Sequence, residues 1–224
     1  MKKAVSYGIL CVLIPAVVIG GALLFKDRQY AWITLCVAIL SCVPFFLHFE
    51  HGEADARRMI LIACMTALSV LGRILFAPIP AFKPVTAMVV ITAMYFGGEA
   101  GFLTGALSAV VSNFYFGQGP WTPFQMFSWG ILGFLAGLLA QPLKKSRIAL
   151  ALYAVFSGVL YSFLMDVWTV LWADGYFNIS RYLAALASAV PFTVVYAASN
   201  VVFLLLFARP IGKILTRIKT KYAL

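Results

Sequence analysis

Asn113-Phe114-Tyr115-Phe116-Gly117-Gln118-Gly119-Pro120-Trp121-Thr122-Pro123-Phe124-Gln125 stands between two long apolar stretches. Its reading decides the fold. Pro120 and Pro123 remove backbone donors and break helical continuity, while Gly117 and Gly119 permit positive φ and close approach of a ligand. Irregular backbone at membrane depth is tolerated only where it is buried in protein or lines a cavity, because its amides must find partners. A plain connector needs none of these residues. The stretch therefore reads as a lid or the rim of a binding site, with predicted helices ending near 113 and restarting near 124.

Outward from it the chain is apolar almost throughout. Of 224 residues 63% are hydrophobic and 11% charged, too few charges to cover a water-soluble domain. Mean hydropathy is +0.99. Runs of roughly 17–25 apolar residues cross the ~30 Å hydrocarbon core as helices. Apolar runs and breakers predict eight of them: 4–25, 30–49, 57–76, 84–97, 99–113, 124–141, 148–172 and 181–208. Gly97-Gly98 separates the short fourth and fifth so narrowly that a tight helical hairpin is expected. The fold class is an all-α, polytopic membrane helical bundle. The start, Lys2-Lys3 before an apolar run, is like a signal peptide. A second span follows at once and no convincing cleavage site precedes it, so it is read as a retained helix.

The 17 Lys and Arg exceed the 7 Asp and Glu, for a net charge of +10. The bases sit at span ends, which fits topology signalling and contact with anionic headgroups, not nucleic acid. With the N-terminus inside, 12 of the 17 bases fall at cytoplasmic ends and 5 (Lys26, Arg28, Arg73, Lys83, Arg181) at outer ends. The expected location is the cell membrane, multi-pass, with both termini cytoplasmic. The loops 76–83, 114–123 and 173–181 then converge on the external face. Cys11, Cys36, Cys42 and Cys64 lie in or beside spans and are read as buried free thiols.

Asp166 is the one acid well inside a predicted span. It should face the bundle and have a partner, with Arg73 and Lys83 at similar depth. A structural ion pair and a ligand or proton site are both open for it. Trp121, Trp129, Trp168 and Trp172 map near the outer boundary, where a lipid belt and ligand contact compete as readings; Trp121, inside the special stretch, leans to the ligand. Tyr115 shares that stretch, and Asn113, Gln118 and Gln125 supply amides for a polar, uncharged ligand. Small residues four apart (Ala63 and Ala67, Gly101 and Gly105, Gly133 and Gly137) let helices approach closely, inside the bundle or against another subunit.

Enzyme templates fit poorly. His48 and His51 lie near Glu50, Glu53 and Asp55, where a solvated polar turn is the better reading than a metal site. There is no zinc-protease helix motif, no phosphate loop and no nucleophile elbow, so catalysis, metal and cofactor are not expected and active transport would need a separate ATPase.

From Arg57 onward the chain resembles the substrate-binding S components of energy-coupling factor (ECF) vitamin transporters. The residues that carry the resemblance are Ala63 and Ala67, Gly72-Arg73, Ala77-Pro78-Ile79-Pro80, Lys83-Pro84, Gly97, Gly101-Phe102, Gly105, Ser112-Asn113, Gly117 to Pro123, Gln125-Met126 and Trp129-Gly130. It implies a six-helix core over 57–208, preceded by two extra helices in 1–50 and followed by a basic cytoplasmic tail, 209–224. It implies capture of a vitamin from outside, and docking through Ala63 and Ala67 on a shared transmembrane coupling subunit driven by two cytoplasmic ATPases. Substrate contacts would come from Arg73, Lys83, Asn113, Tyr115, Gln118, Trp121, Gln125, Trp129 and Asp166. The run around Gly119-Pro120-Trp121 is most similar to cobalamin-type S components, with riboflavin- and queuosine-type relatives as the alternative. Apart from that resemblance, a stand-alone facilitator remains a competing class.

Overall fold

The computed structural model describes residues 2–25, 30–47 and 53–222. All its elements are helices, with no strand among the described residues. His48 and His51, like Lys26 and Arg28, lie outside them. The first pass is α1 (Lys2–Gly8), a π-helical turn (Ile9–Leu13) and α2 (Ile14–Phe25). The wide turn precedes Pro15, which has no N–H for the regular ladder. Then come α3 (Tyr30–Leu47), α4 (Glu53–Leu75), α5 (Val85–Phe96), α6 (Gly98–Phe116) and α7 (Trp121–Leu138). A short α8 (Ala140–Lys145) leads into α9 (Arg147–Asp174) and α10 (Ile179–Tyr222). Four described helical stretches, Lys3–Leu24, Ala56–Leu75, Arg147–Asp174 and Ile179–Tyr222, are long and apolar enough to cross a membrane.

The bundle is built around α5. At ~1.5 Å per residue its 12 residues reach only ~18 Å. Eleven of them are buried, so it is enclosed by its neighbours instead of facing lipid. That explains its uniformly apolar sequence and missing polar face. Gly97 (φ 92°) ends it and lets α6 start one residue later, forming the expected hairpin.

Between α6 and α7 the glycines carry the packing. A Cβ on Gly101 would lie 2.8 Å from the Gly133 carbonyl oxygen, on Gly105 2.5 Å from the Trp129 carbonyl, and on Gly137 2.2 Å from the Gly98 nitrogen. Bare backbones therefore touch along most of this crossing, and larger side chains would push the helices apart. Ala63 and Ala67 behave differently. Both are exposed on α4, in one outward stripe with Ile60, Leu68 and Leu71. Helices α1 to α3 pack on α6, α7 and α9, leaving that stripe uncovered.

Three sequence expectations need correction. The special stretch is mostly helical: only Gly117 to Pro120 are irregular, and α7 starts at Trp121 with Pro120 as its N-cap residue and Pro123 in its first turn. Amides there have no intrahelical acceptor, so prolines begin this helix instead of preventing it. The last helix does not stop at 208 but runs through Pro210 to Tyr222, because Ala208, Gly212 and Leu215 continue its buried face. The four cysteines are free, yet Cys11, Cys36 and Cys64 are exposed on the outer surface. Small apolar thiols suit a surface that meets lipid.

Candidate substrate-binding site

One end of the bundle gathers the 76–84 segment, the Gly117–Pro120 turn and the Gly175 corner between α9 and α10. Below them lies a cavity of about 70 Å³, walled by Arg73, Lys83, Gln125, Trp129, Tyr161 and Tyr196 and completed by Ala81, Val85, Thr86 and Asn200. It draws on α4, α5, α7, α9 and α10 and the segment that joins α4 to α5.

Arg73, near the end of α4, is buried with 8% of its surface exposed. Its Nη1 donates to Ser112 Oγ and, at 2.8 Å, to Asn113 Oδ1. The guanidinium also lies over the rings of Phe116 (4.6 Å) and Trp129 (5.0 Å). A buried cation is stable only when its donors and charge are answered. Here two side-chain oxygens and two π faces answer it, without a carboxylate.

Asn113 passes the order on. Its Nδ2 donates to Thr122 Oγ1 and to Gln125 Oε1, both at 2.9 Å. Gln118 Nε2 donates to the Val110 carbonyl at 2.8 Å, and Thr122 Oγ1 donates to Gln118 Oε1 at 3.1 Å. The turn amides therefore hold the turn and orient Gln125, which itself faces the cavity.

The 76–84 segment is fixed by different means. The Lys83 N–H donates to Ser199 Oγ (2.8 Å), and that hydroxyl donates back to the Lys83 carbonyl (3.1 Å). Phe76 and Phe82 each pack 5.0 Å from Phe203, centroid to centroid. Between these anchors the Phe82 N–H bonds the Pro80 carbonyl at 2.8 Å across Ala81, whose φ is 60°. This tight three-residue turn is strained for any side chain, and it sits on the cavity wall. Lys83 Nζ lies 4.8 Å from the Phe116 centroid, sharing that ring with Arg73. Burial, and then the Arg73 charge, push the Lys83 ammonium below its ordinary range.

Four of the nine residues expected from the sequence line the cavity: Arg73, Lys83, Gln125 and Trp129. Asn113 is fully buried behind them as the link between Arg73 and Gln125. Gln118 serves the turn. Tyr115 is 66% exposed and packs edge-on against Phe116. Trp121 folds over Gly119, where a Cβ would lie 2.3 Å from its ring, and meets Trp168 edge-to-face at 6.0 Å. Trp168 stacks on Trp172 at 5.9 Å, so these three indoles form a ladder beside the cavity. Asp166 is paired with neither Arg73 nor Lys83, and its Oδ2 is buried without a hydrogen bond. Arg73 turns toward α6 and α7 instead, and the ion pair at this end joins Asp174 to Arg181 at 2.6 Å.

Sequence reasoning missed Tyr161, Tyr196 and Asn200. Tyr161 stacks on Trp129 (5.2 Å, 14° between planes) and meets Tyr196 edge-on at 5.1 Å. Asn200 Nδ2 donates to Ser157 Oγ at 3.1 Å. The available signal was a polar atom inside a long apolar span, which a search for ionised groups alone passes over. No group of three or more His, Cys, Asp or Glu suited to a metal occurs among the described residues.

A helical membrane bundle with one buried, cation- and aromatic-lined cavity near one end has the form of a membrane substrate-binding subunit. Residues 54–217 match the family described as the ECF-type riboflavin transporter, S component, and the chain belongs to that family. It is a transporter family, not an enzyme family. Helices α1 to α3 precede the matched residues. A UPF0397 protein of Aliivibrio salmonicida is 31% identical over 148 residues, covering 64% of this chain and 78% of the relative. A UPF0397 protein of Aliivibrio fischeri strain MJ11 is 29% identical over 147 residues, covering 63% and 77%. No solved structure matches the chain significantly.

Proposed function

We propose that this chain is the substrate-capturing subunit of an ECF-type importer, and that its ligand is a vitamin-sized planar heterocycle rich in carbonyl acceptors. The observation that carries this reading is the cavity: two cations, two amides and three aromatic side chains converge in it, and no carboxylate lines it. At about 70 Å³ it is smaller than the ~300–1,000 Å³ of small-molecule sites, so ligand entry would move the 76–84 segment aside. Arg73 and Lys83 favour oxygen acceptors or negative charge, and Trp129, Tyr161 and Tyr196 favour a flat π system. Riboflavin, named by the family description, meets these demands. The corrinoid that the 119–121 run favours is several times larger than a three-ring heterocycle and would need the 76–84 segment to open much further.

In the proposed orientation the cavity faces outside and both termini are cytoplasmic, as the distribution of Lys and Arg favours. The division into two leading helices, a core over 57–208 and a basic ending is kept on the same footing. The exposed Ala63–Ala67 stripe is the proposed contact with the coupling subunit, and the ATPases would supply the energy. Bulky residues at Ala63 and Ala67 should abolish uptake and leave binding intact.

Equilibrium calorimetry on the purified chain with riboflavin, cobalamin, cobinamide and queuine tests the reading. Saturable binding of riboflavin, with quenching of its fluorescence that weakens in Trp129→Leu, is the expected result. Preference for a corrinoid would overturn the ligand class. Passage of ligand into liposomes holding this chain alone would replace the binding subunit with a facilitator.

A further inference from the structure

At the end of the bundle opposite the substrate cavity lies a second, larger one, of about 610 Å³, between the end of α5, α8, the start of α9 and the extension of α10. Six cations line it: Lys144, Lys145 and Arg147 on one side, Arg209, Lys213 and Arg217 on the other. No acid is among its lining residues, and none of the six forms an ion pair among the described residues. Its apolar wall comes from Met94, Leu143, Leu150 and Ala208. We propose that this cavity holds the phosphodiester headgroup of one anionic phospholipid, with an acyl chain lying against the apolar wall.

Three independent features favour a lipid anion. The first is the arrangement of charge. Arg209, Lys213 and Arg217 are spaced four apart on one face of α10, where like charges repel by ~0.2–0.5 kcal/mol per pair unless neutralised. Three more cations face them, so an unfilled site opposes the closure of α10 onto α8 and α9. The second is that the site is built. Gly212 leaves room for Tyr95, whose hydroxyl would lie 2.2 Å from a Cβ there. The Tyr95 carbonyl accepts from Lys219 Nζ at 2.8 Å, and its ring holds the Lys144 ammonium 4.5 Å from its centroid. Lys144 is held below the ordinary lysine range by burial and then by the charge of Lys219. The third is the start of α9: Ser146 caps it by accepting the Ala149 N–H at 3.2 Å, so the positive end of a 28-residue helix opens beside the cations. Polar cations beside an apolar wall fit an amphiphile better than a free anion. Basic pockets between transmembrane helices have this chemistry.

The test uses the full-length protein. Native mass spectrometry after extraction should retain one phosphatidylglycerol per chain. In phosphatidylcholine nanodiscs, adding phosphatidylglycerol should raise the melting temperature and saturate, whereas inorganic phosphate at equal concentration should not. With about fivefold in affinity per basic residue, Arg209→Gln/Lys213→Gln/Arg217→Gln should bind phosphatidylglycerol about 100-fold more weakly. Lys2→Gln/Lys3→Gln/Lys221→Gln, which removes equal charge elsewhere, should bind normally. Circular dichroism in phosphatidylcholine checks that both variants fold; if the first does not, retention of lipid by the wild type decides. Equal stabilisation by phosphate would overturn the lipid in favour of a small anion. Equal loss in both variants, no retained lipid, or displacement of the lipid by an acidic peptide at lower concentration would overturn the site.

Discussion

The cavities at the two ends of the bundle are both lined by cations and by no acid, yet they use charge in opposite ways. Around the substrate cavity Arg73 is buried and fully engaged by Ser112, Asn113, Phe116 and Trp129. Around the opposite cavity the six lining cations are exposed, and only Lys144 has a ring beneath it. A cation held by fixed partners has one geometry and can select a ligand by shape. Cations on flexible stems act as a diffuse field, screened by salt over ~8–10 Å, so there the charges attract an anion and the apolar wall beside them supplies the selection for a lipid. The difference lies in the shells behind the charges.

The largest expected effect breaks the first of these shells. Arg73→Ala removes a charged donor and leaves Ser112 and Asn113 without it, at about 1.5–3 kcal/mol per charged hydrogen bond. Ligand affinity should fall by at least about 100-fold by calorimetry, together with a lower melting temperature. Arg73→Lys should recover the charge without the two-oxygen geometry, and so recover little affinity. Normal binding in Arg73→Ala would mean that both ends use charge diffusely.

Next comes Gln125→Leu, which deprives Asn113 Nδ2 of one acceptor and the cavity of an amide. A loss of about tenfold in affinity is expected, since an unpaired buried group costs about 1–3 kcal/mol. Ligand affinity should also change little between low and moderate salt in the wild type. A steep salt dependence would place this cavity with the exposed end.

Lys83 sharpens the contrast through pH. Its ammonium titrates below the usual lysine range because of burial and the Arg73 charge. Between that lowered value and the ordinary one the unfolded chain binds more protons than the folded chain. Stability without ligand therefore rises with pH across that window. Ligand affinity that depends on the Lys83 charge falls across the same window. In Arg73→Ala one of the two causes is gone, so the stability rise should move to higher pH, read from melting curves of Arg73→Ala and Arg73→Ala/Lys83→Met.

The smallest effect concerns the strained turn. Ala81→Gly relieves a left-handed alanine at about 1 kcal/mol, offset in part by the entropy of glycine. A rise of a few degrees or less in melting temperature is expected, with ligand dissociation faster if the turn acts as a latch. A clear drop in melting temperature would show that the turn is not under strain.

Much of this was legible in the residues. Long apolar runs determined the membrane bundle, and Gly97-Gly98 determined the tight hairpin, because hydrocarbon permits few backbone solutions. Arg73, Lys83, Gln125 and Trp129 stood out as polar or aromatic groups near predicted helix ends. Local sequence could not say that Pro120 and Pro123 would start a helix, since the same proline stops one helix or begins another depending on which amides need acceptors. Nor could it separate Trp129, which walls the cavity, from Trp121, which covers Gly119.

By itself, then, the sequence determined that the chain is a helical membrane protein with a special turn between two spans and bases at the span ends. Transfer energies and backbone hydrogen bonding act residue by residue, so those features follow from order along the chain. Tertiary structure alone decided that Tyr161, Tyr196 and Asn200 share a cavity with Arg73, that Asp166 pairs with neither Arg73 nor Lys83, and that six distant cations line one cavity. Those juxtapositions depend on helix rotation, on close backbone approach at Gly101 and Gly133 and on the room Gly212 leaves for Tyr95, which arise only once helices pack.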